Sequence, residues 1–162
     1  MTTPKKIIRA MPRMATPESI APYGTLIEPS EDGSPFGPGD AELDLTQGTP
    51  RLYIMRLRHR PLVIRGITRH SAVTQCLASM KGEEWFIGLA EADEDPVPDE
   101  IKVFRMGGDV ALALHAGTWH AGPFFTAPSV DFLNLELADT NDTDRDTVRI
   151  DEAYGAMIEI MA

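Results

Sequence analysis

The 162-residue chain has one cysteine, an excess of acidic over basic residues and no long apolar run. The single Cys76 excludes an internal disulfide and is typical of a reducing compartment. With 15 Lys and Arg against 25 Asp and Glu, the net charge of −10 argues against binding to nucleic acid or to anionic membranes. We find neither the roughly 18 apolar residues of a membrane helix nor a signal-peptide core. A cytoplasmic location is therefore expected.

Length and composition predict one domain over residues 1–162. Hydrophobic residues make up 43% and charged residues 25%, which is ordinary for a globular protein. Thr16 is suited to cap a short helix that starts at Pro17. The helix and an irregular loop over 28–50 form the first segment, 1–50, and a barrel core is predicted over 51–138. The remaining residues, 139–162, are predicted to be a C-terminal tail segment.

Frequent turn signals separate short runs of aliphatic, β-branched and aromatic residues. Thirteen prolines and thirteen glycines make long helices improbable. Lys81-Gly82 predicts a tight hairpin between two strands, and Gly107-Gly108-Asp109 a second turn. Eight short strands with few helices predict a closed or sandwiched β-barrel. The predicted strands are 51–58, 62–70, 73–80, 84–90, 101–105, 110–115, 118–125 and 130–137.

Two short stretches of the sequence contain histidines and other polar residues that are suited to catalysis or metal binding. In the first, Thr68 and His70 share one face of a predicted strand, and Gln75 begins the next strand. The second leads through Gly117 to His120. Imidazole nitrogens and a side-chain oxygen that converge inside a barrel can hold a divalent metal ion, although three neutral ligands bind it weakly. Each histidine alone is equally well explained as a hydrogen-bonded core residue.

The spacing of these clusters resembles the two motifs of the cupin superfamily. Thr68, His70, Gln75 and Gly82 stand at the positions of the first motif, with Gln75 in place of the usual Glu. Gly117 and His120 fit the second motif. The resemblance implies a mainly β, cupin-type barrel, that is, a double-stranded β-helix or jelly roll, with the short helix at its N-terminus.

A longer series of blocks resembles the ureidoglycolate lyase family. The order and spacing of the blocks carry the resemblance. They are Ala21-Pro22-Tyr23-Gly24-Thr25-Leu26-Ile27, Ile67-Thr68-Arg69-His70, Thr74-Gln75, Met80-Lys81-Gly82-Glu83, Pro98 to Phe104, Gly117-Thr118-Trp119-His120 and Asp131-Phe132-Leu133.

The resemblance implies a homodimeric carbon–nitrogen lyase of allantoin and purine breakdown. Such an enzyme splits ureidoglycolate into glyoxylate and urea, which requires proton transfer and an anchor for the substrate carboxylate. By this resemblance, His70, His120 and Gln75 are the catalytic candidates and the tentative ligands of a divalent metal. Arg58 and Lys81 are candidate carboxylate anchors.

Three departures from the family pattern concern the same site. Thr68 replaces a Glu, Ala121 replaces a second His, and Glu136-Leu137 replaces an Asp-Arg pair. Thr68 is retained as a candidate substrate contact. Glu136 shares a strand face with Asn134 and Phe132, so it is a candidate for restoring a carboxylate to the pocket, or else an outward-facing residue.

Two other functions stay open. Without the family Glu, the barrel is also compatible with a non-catalytic module that binds a small carboxylate or ureide. A divergent cupin enzyme acting on another small hydroxy or keto acid, such as an isomerase or decarboxylase, is the third reading.

Overall fold

The structure is a computed structural model that describes residues 3–162. It contains three short helices, α1 (Pro17–Ile20), α2 (Thr140–Thr143) and α3 (Ile150–Ala153), and a single 3-10 turn at Pro98–Glu100. The strands are β1 (Lys6–Ala10), β2 (Arg13–Met14), β3 (Gly24–Ile27), β4 (Pro50–Arg58), β5 (Val63–Ile64), β6 (Gly66–Arg69), β7 (Gln75–Ser79), β8 (Trp85–Ala90), β9 (Lys102–Met106), β10 (Ala111–Leu114), β11 (Trp119–Phe124), β12 (Ser129–Leu137), β13 (Asp146–Arg149) and β14 (Ala156–Ile160).

The predicted N-terminal helix is confirmed as α1. The Thr16 hydroxyl accepts a hydrogen bond from the backbone N–H of Ser19 at 3.1 Å, and the Ser19 hydroxyl accepts one from the backbone N–H of Thr16 at 2.9 Å. This reciprocal capping satisfies two N–H groups at the start of the helix, and Pro17 occupies its first turn. Residues 28–49 contain neither helix nor strand, as predicted for the loop.

The strands form two large sheets and a small one. Sheet I has the order β13-β6-β11-β8-β9-β2, sheet II the order β3-β10-β7-β12-β4, and sheet III the order β1-β14-β5. From β6 to β12, the chain passes repeatedly between sheets I and II, and neighbouring strands there pair in antiparallel fashion. This is the predicted mainly β, cupin-type jelly roll.

The tight hairpin predicted at Lys81-Gly82 is wrong. β7 pairs with β10 and β12 in sheet II, whereas β8 pairs with β9 and β11 in sheet I. Gly82 does adopt a positive φ of 75°, so a sharp turn is present. The turn carries the chain from one sheet to the other, and turn residues do not specify which sheet the next strand joins.

Strand β8 shows how the sheets share the core. Trp85, Ile87 and Leu89 pack between sheets I and II. The alternate residues Phe86 and Ala90 pack on the opposite face, where sheet III covers sheet I. All six residues of β8 are therefore buried, because this strand has apolar partners on both faces.

The C-terminal segment is an integral part of the fold, contrary to its predicted role as a tail. Within 139–162, β13 extends sheet I beside β6, and β14 lies between β1 and β5 in sheet III. Ile150 and Ile158 are buried. The predicted strand 62–70 also divides, because β5 joins sheet III and β6 joins sheet I.

No helix within residues 3–162 is long and apolar enough to cross a membrane. The dominant structure of the described chain is the strand, and its helices span single turns.

The role of the C-terminal segment in stability is testable with Ile158→Ala. Ile158 is 1% exposed, so its truncation leaves a cavity beneath sheet III. We expect the free energy of unfolding to fall by about 2–5 kcal/mol. Met161→Ala is the control, because Met161 is 42% exposed, and we expect a change within about 0.5 kcal/mol. Urea denaturation of both variants measures this, and an equally small effect of Ile158→Ala would contradict the packing.

Candidate active site

A cavity of about 610 Å³ opens between the inner faces of sheets I and II. The structure brings His70, Gln75 and His120 together in its lining. His70 directly follows β6, Gln75 begins β7, and His120 is the second residue of β11. The ring centroids of the two histidines are 5.0 Å apart. Thr68 also lines the cavity and is the cross-strand partner of His120.

His70 is held by the C-terminal segment. Its Nδ1 lies 2.6 Å from the backbone oxygen of Asp144, and since a carbonyl can only accept, Nδ1 carries the proton. The Asp144 carboxylate in turn accepts the backbone N–H groups of Ser71 and Ala72, both at 2.8 Å. These three bonds orient the ring and leave Nε2 without a hydrogen-bond partner among residues 3–162.

His120 is neutral in this environment. Its Nδ1 donates to the backbone oxygen of Thr118 at 3.3 Å, which leaves Nε2 as an acceptor. Burial lowers the pKa of His120 to about 4, and the nearby His70 and Arg145 contribute in the same direction. At physiological pH, His120 is therefore able to accept a hydrogen bond or a proton.

Gln75 presents an unused acceptor. Its Nε2 donates to Asn134 Oδ1 at 3.1 Å, while its buried Oε1 has no hydrogen-bond partner in the described chain. Asn134 Nδ2 donates to the Tyr53 hydroxyl at 3.1 Å. Because this network fixes the amide, Gln75 Oε1 is available for a donor on a ligand.

Glu136 lies behind the lining of the cavity. It is 1% exposed and accepts hydrogen bonds from the Tyr53 hydroxyl at 3.2 Å and from Asn141 Nδ2 at 3.4 Å. Its Oε1 is 3.9 Å from an Arg51 nitrogen. The structure thus gives Glu136 the role of supporting Asn141, which does line the cavity, and does not support a direct substrate contact.

Lys81 is also outside the described lining of the cavity. It is exposed in the turn after β7, where its backbone N–H donates to Glu83. Of the two predicted carboxylate anchors, only Arg58 reaches the cavity.

Three arginines give the cavity a positive charge. Arg58, Arg60 and Arg145 line it, and no Asp or Glu within residues 3–162 does so. None of the three forms an ion pair in the described chain, whereas seven other arginines do. This arrangement favours an anionic ligand even though the whole chain carries a charge of −10.

The sequence indicates Arg60 only as part of a basic cluster with Arg56, Arg58 and Arg65, which can supply a positive field or pair with acidic loops, and it gives Arg145 no role. The Arg60 guanidinium stacks 4.2 Å above the Phe124 ring, and burial lowers its pKa without discharging it. Arg145 lies in the acidic run 139–146, which reads as a solvated loop. The only feature of this run that distinguishes Arg145 in the sequence is that it is the one basic residue among residues 139–146.

The cavity has nitrogen and oxygen atoms that can bind a metal, but its positive charge opposes the binding of a cation. His70 Nε2, His120 Nε2 and Gln75 Oε1 are neutral donors, and no group of three or more His, Cys, Asp or Glu within residues 3–162 is placed to hold a metal. A divalent ion would face three arginines with no carboxylate to balance it. The cavity fits an anion better than a bare cation, and no reaction step is assigned to a metal.

The low pKa of His120 predicts a specific pH dependence of stability. The unfolded histidine titrates near 6.5 and the folded one at about 4, so protons bind preferentially to the unfolded chain between these values. We expect this residue to lower the free energy of unfolding by about 3 kcal/mol as the pH falls from 6.5 to about 4. Denaturation at several pH values, compared with His120→Gln, isolates this loss. His59→Gln, at an exposed histidine, is the control and should retain it.

Comparison with known proteins identifies the family of the chain. The family model described as ureidoglycolate lyase matches residues 6–157. The ureidoglycolate lyases of Escherichia coli (strain K12 / DH10B) and Shigella boydii serotype 18 are each 27% identical over 88 residues, which is 54% of this chain and 55% of theirs. The chain thus spans about half the length of the curated relatives it matches.

Among solved structures, a dTDP sugar isomerase from Desulfovibrio desulfuricans G20 is similar with a TM-score of 0.47 and 15% identity. The similarity covers 80% of this chain and 83% of that one. The family match extends over most of the described residues and includes every part of the cavity. The chain belongs to the ureidoglycolate lyase family.

Proposed function

We propose that this chain is a carbon–nitrogen lyase that releases urea and glyoxylate from ureidoglycolate, as a step of allantoin and purine breakdown. The observation that carries the proposal is a cavity in which two Nδ1-protonated histidines lie beside three arginines. None of these arginines has a carboxylate partner within residues 3–162. Family membership supports it. The cytoplasmic location and the homodimer implied by the resemblance remain proposals as well.

The reaction moves one proton from the substrate hydroxyl to the leaving nitrogen. His120 Nε2 accepts the hydroxyl proton while the carbonyl of glyoxylate forms and the C–N bond breaks. The imidazole pair, 5.0 Å between centroids, returns a proton to the urea nitrogen, so no net proton is consumed. A bound carboxylate adds negative charge beside His120 and raises its pKa toward the physiological range, which makes it a better base.

The remaining polar groups match the other parts of the substrate. A guanidinium such as that of Arg58 binds a carboxylate through two parallel hydrogen bonds. The unpartnered Gln75 Oε1 is suited to accept an N–H of the ureido group. An acid that carries both a carboxylate and amide N–H groups therefore satisfies both features of the cavity.

One observation favours a second function. A histidine with a pKa of about 4 is a weak base, and Thr68 leaves the cavity without the family carboxylate. A non-catalytic module that binds a small carboxylate or ureide would have both properties. A divergent cupin enzyme for another small hydroxy or keto acid is the other alternative.

A coupled assay for glyoxylate and urea from (S)-ureidoglycolate tests the proposal. We expect equal amounts of both products and unchanged turnover after EDTA treatment and gel filtration, because no step requires a metal. His120→Gln should lower kcat by about 100-fold or more, as expected for loss of an acid–base group. His59→Gln, outside the described lining of the cavity, should keep full activity.

Two results would overturn parts of this proposal. Binding of ureidoglycolate without release of urea, with or without added divalent metals, would favour the binding module. Activity that disappears with EDTA and returns with a divalent metal would contradict the metal-free proton transfer.

Thr68→Glu tests whether the cavity is tuned for anions. A Glu at this position restores the family residue, but here it would pair with the arginines and repel the substrate carboxylate. We expect KM to rise by about tenfold or more relative to the matched neutral variant Thr68→Gln. Equal KM values for the two variants would show that the charge at position 68 is unimportant.

A further inference from the structure

A groove of about 440 Å³ continues from the histidine cavity. Arg60, Thr68 and Arg145 line both spaces, so the two are contiguous. Beyond this shared wall the groove is lined by Arg65, Thr147 and Arg149, whereas Arg58 and the two histidines line only the first cavity.

The acidic residues around the groove neutralise only part of its positive charge. Four arginines line it, and no acidic residue of the described chain does. The buried Asp151 lies behind Arg65 and Arg149, at 3.5 and 2.7 Å, and is shared by both. The other two arginines have no carboxylate partner within residues 3–162.

The hydroxyls of Thr68 and Thr147 form part of the wall. Their oxygens are 2.8 Å apart across the β6–β13 pair, so one hydroxyl donates to the other. The second hydroxyl proton has no partner in the described chain and is available to a ligand. A threonine donor among guanidinium groups is a typical environment for a carboxylate or phosphate oxygen.

The single carboxylate of ureidoglycolate does not account for this second group of cations. Arg58 lines the first cavity and not the groove, and in the proposed function it binds that carboxylate. Like charges that cluster without counter-charges destabilise a protein, and the chain has 25 acidic residues with which it could have paired them. A second anionic group on the ligand would provide the missing counter-charge.

We propose that the groove is a subsite for a second anionic group, a carboxylate or phosphate, on the same ligand. The preferred substrate is then an acid of the ureidoglycolate type with a second anionic group, whose reacting carbon lies beside the histidines. The proposal rests on the proposed function in taking the histidine cavity as the site of reaction.

Isothermal titration calorimetry with glycolate, which has one carboxylate, and malate, which has two, tests the subsite on the full chain. We expect malate to bind at least about tenfold more tightly than glycolate. Thr147→Val removes only a hydroxyl from the groove and should reduce this preference to about threefold or less, with glycolate affinity unchanged. Arg149→Gln, checked by thermal melting, should do the same. Arg9→Gln is the matched control, because Arg9 pairs with Glu159 in sheet III.

Equal affinities for malate and glycolate would overturn the proposal, as would a malate preference that survives both groove variants. A third result would also overturn the proposal. If the chain shows no preference for malate but binds inorganic phosphate and glycolate at the same time, the groove is a separate anion site. The outcome is independent of turnover. Inactivity toward ureidoglycolate with an intact malate preference refutes the proposed function alone, and activity without the preference refutes the subsite alone.

Discussion

The arrangement of the cavity depends on the contacts of Asp144 with residues 70–72. Its carboxylate accepts two backbone N–H groups of the loop after β6, and its carbonyl accepts Nδ1–H of His70. These bonds fix the tautomer of His70 and the position of the segment between α2 and β13. The neighbouring Arg145 thereby reaches the cavity, and β13 begins its pairing on β6 at Asp146 and Arg69. Through its backbone carbonyl and its carboxylate, Asp144 thus joins the C-terminal segment to His70 and the two residues after it, and the place of Arg145 in the cavity wall follows from that attachment.

Charge gives a physical reason for one departure from the family pattern, Thr68 in place of Glu. The charged residues that line the cavity and groove are all arginines, in a chain with an overall charge of −10. A Glu at position 68 would neutralise this positive field, whereas Thr68 preserves it and adds a hydroxyl donor. Glu136 does not restore the lost carboxylate, because it is buried behind Asn141 and Tyr53. Negative ligands strengthen the binding of a metal cation and positive groups strengthen the binding of a substrate anion, and this cavity offers positive groups.

Local sequence patterns predicted the parts of the site that lie on regular strands. Strand alternation placed Thr68 and His70 on one face, and both line the cavity, while Ile67 packs beneath sheet III. Arg145 could not be predicted in this way, because it lies in a polar run without periodicity and reaches the cavity through contacts with residues over 70 positions earlier. The hairpin at Lys81-Gly82 was wrong for a related reason. Turn residues encode a change of direction, and the pairing of β7 and β8 with other strands is decided by packing across the whole barrel.

Dependence on distant parts of the chain also explains why the strands at the two ends of the sequence were not predicted. β1 and β14 are short strands at the two ends of the sequence, and each one alone has too little apolar surface to form a stable structure. Paired with each other and with β5, they cover the outer face of sheet I, where Phe86, Ala90 and Trp119 would otherwise be exposed. The sheet that carries His120 is thus supported on the side opposite the cavity. A rigid backing of this kind suits the proton transfer proposed for His120, because small shifts of a catalytic group change the rate strongly.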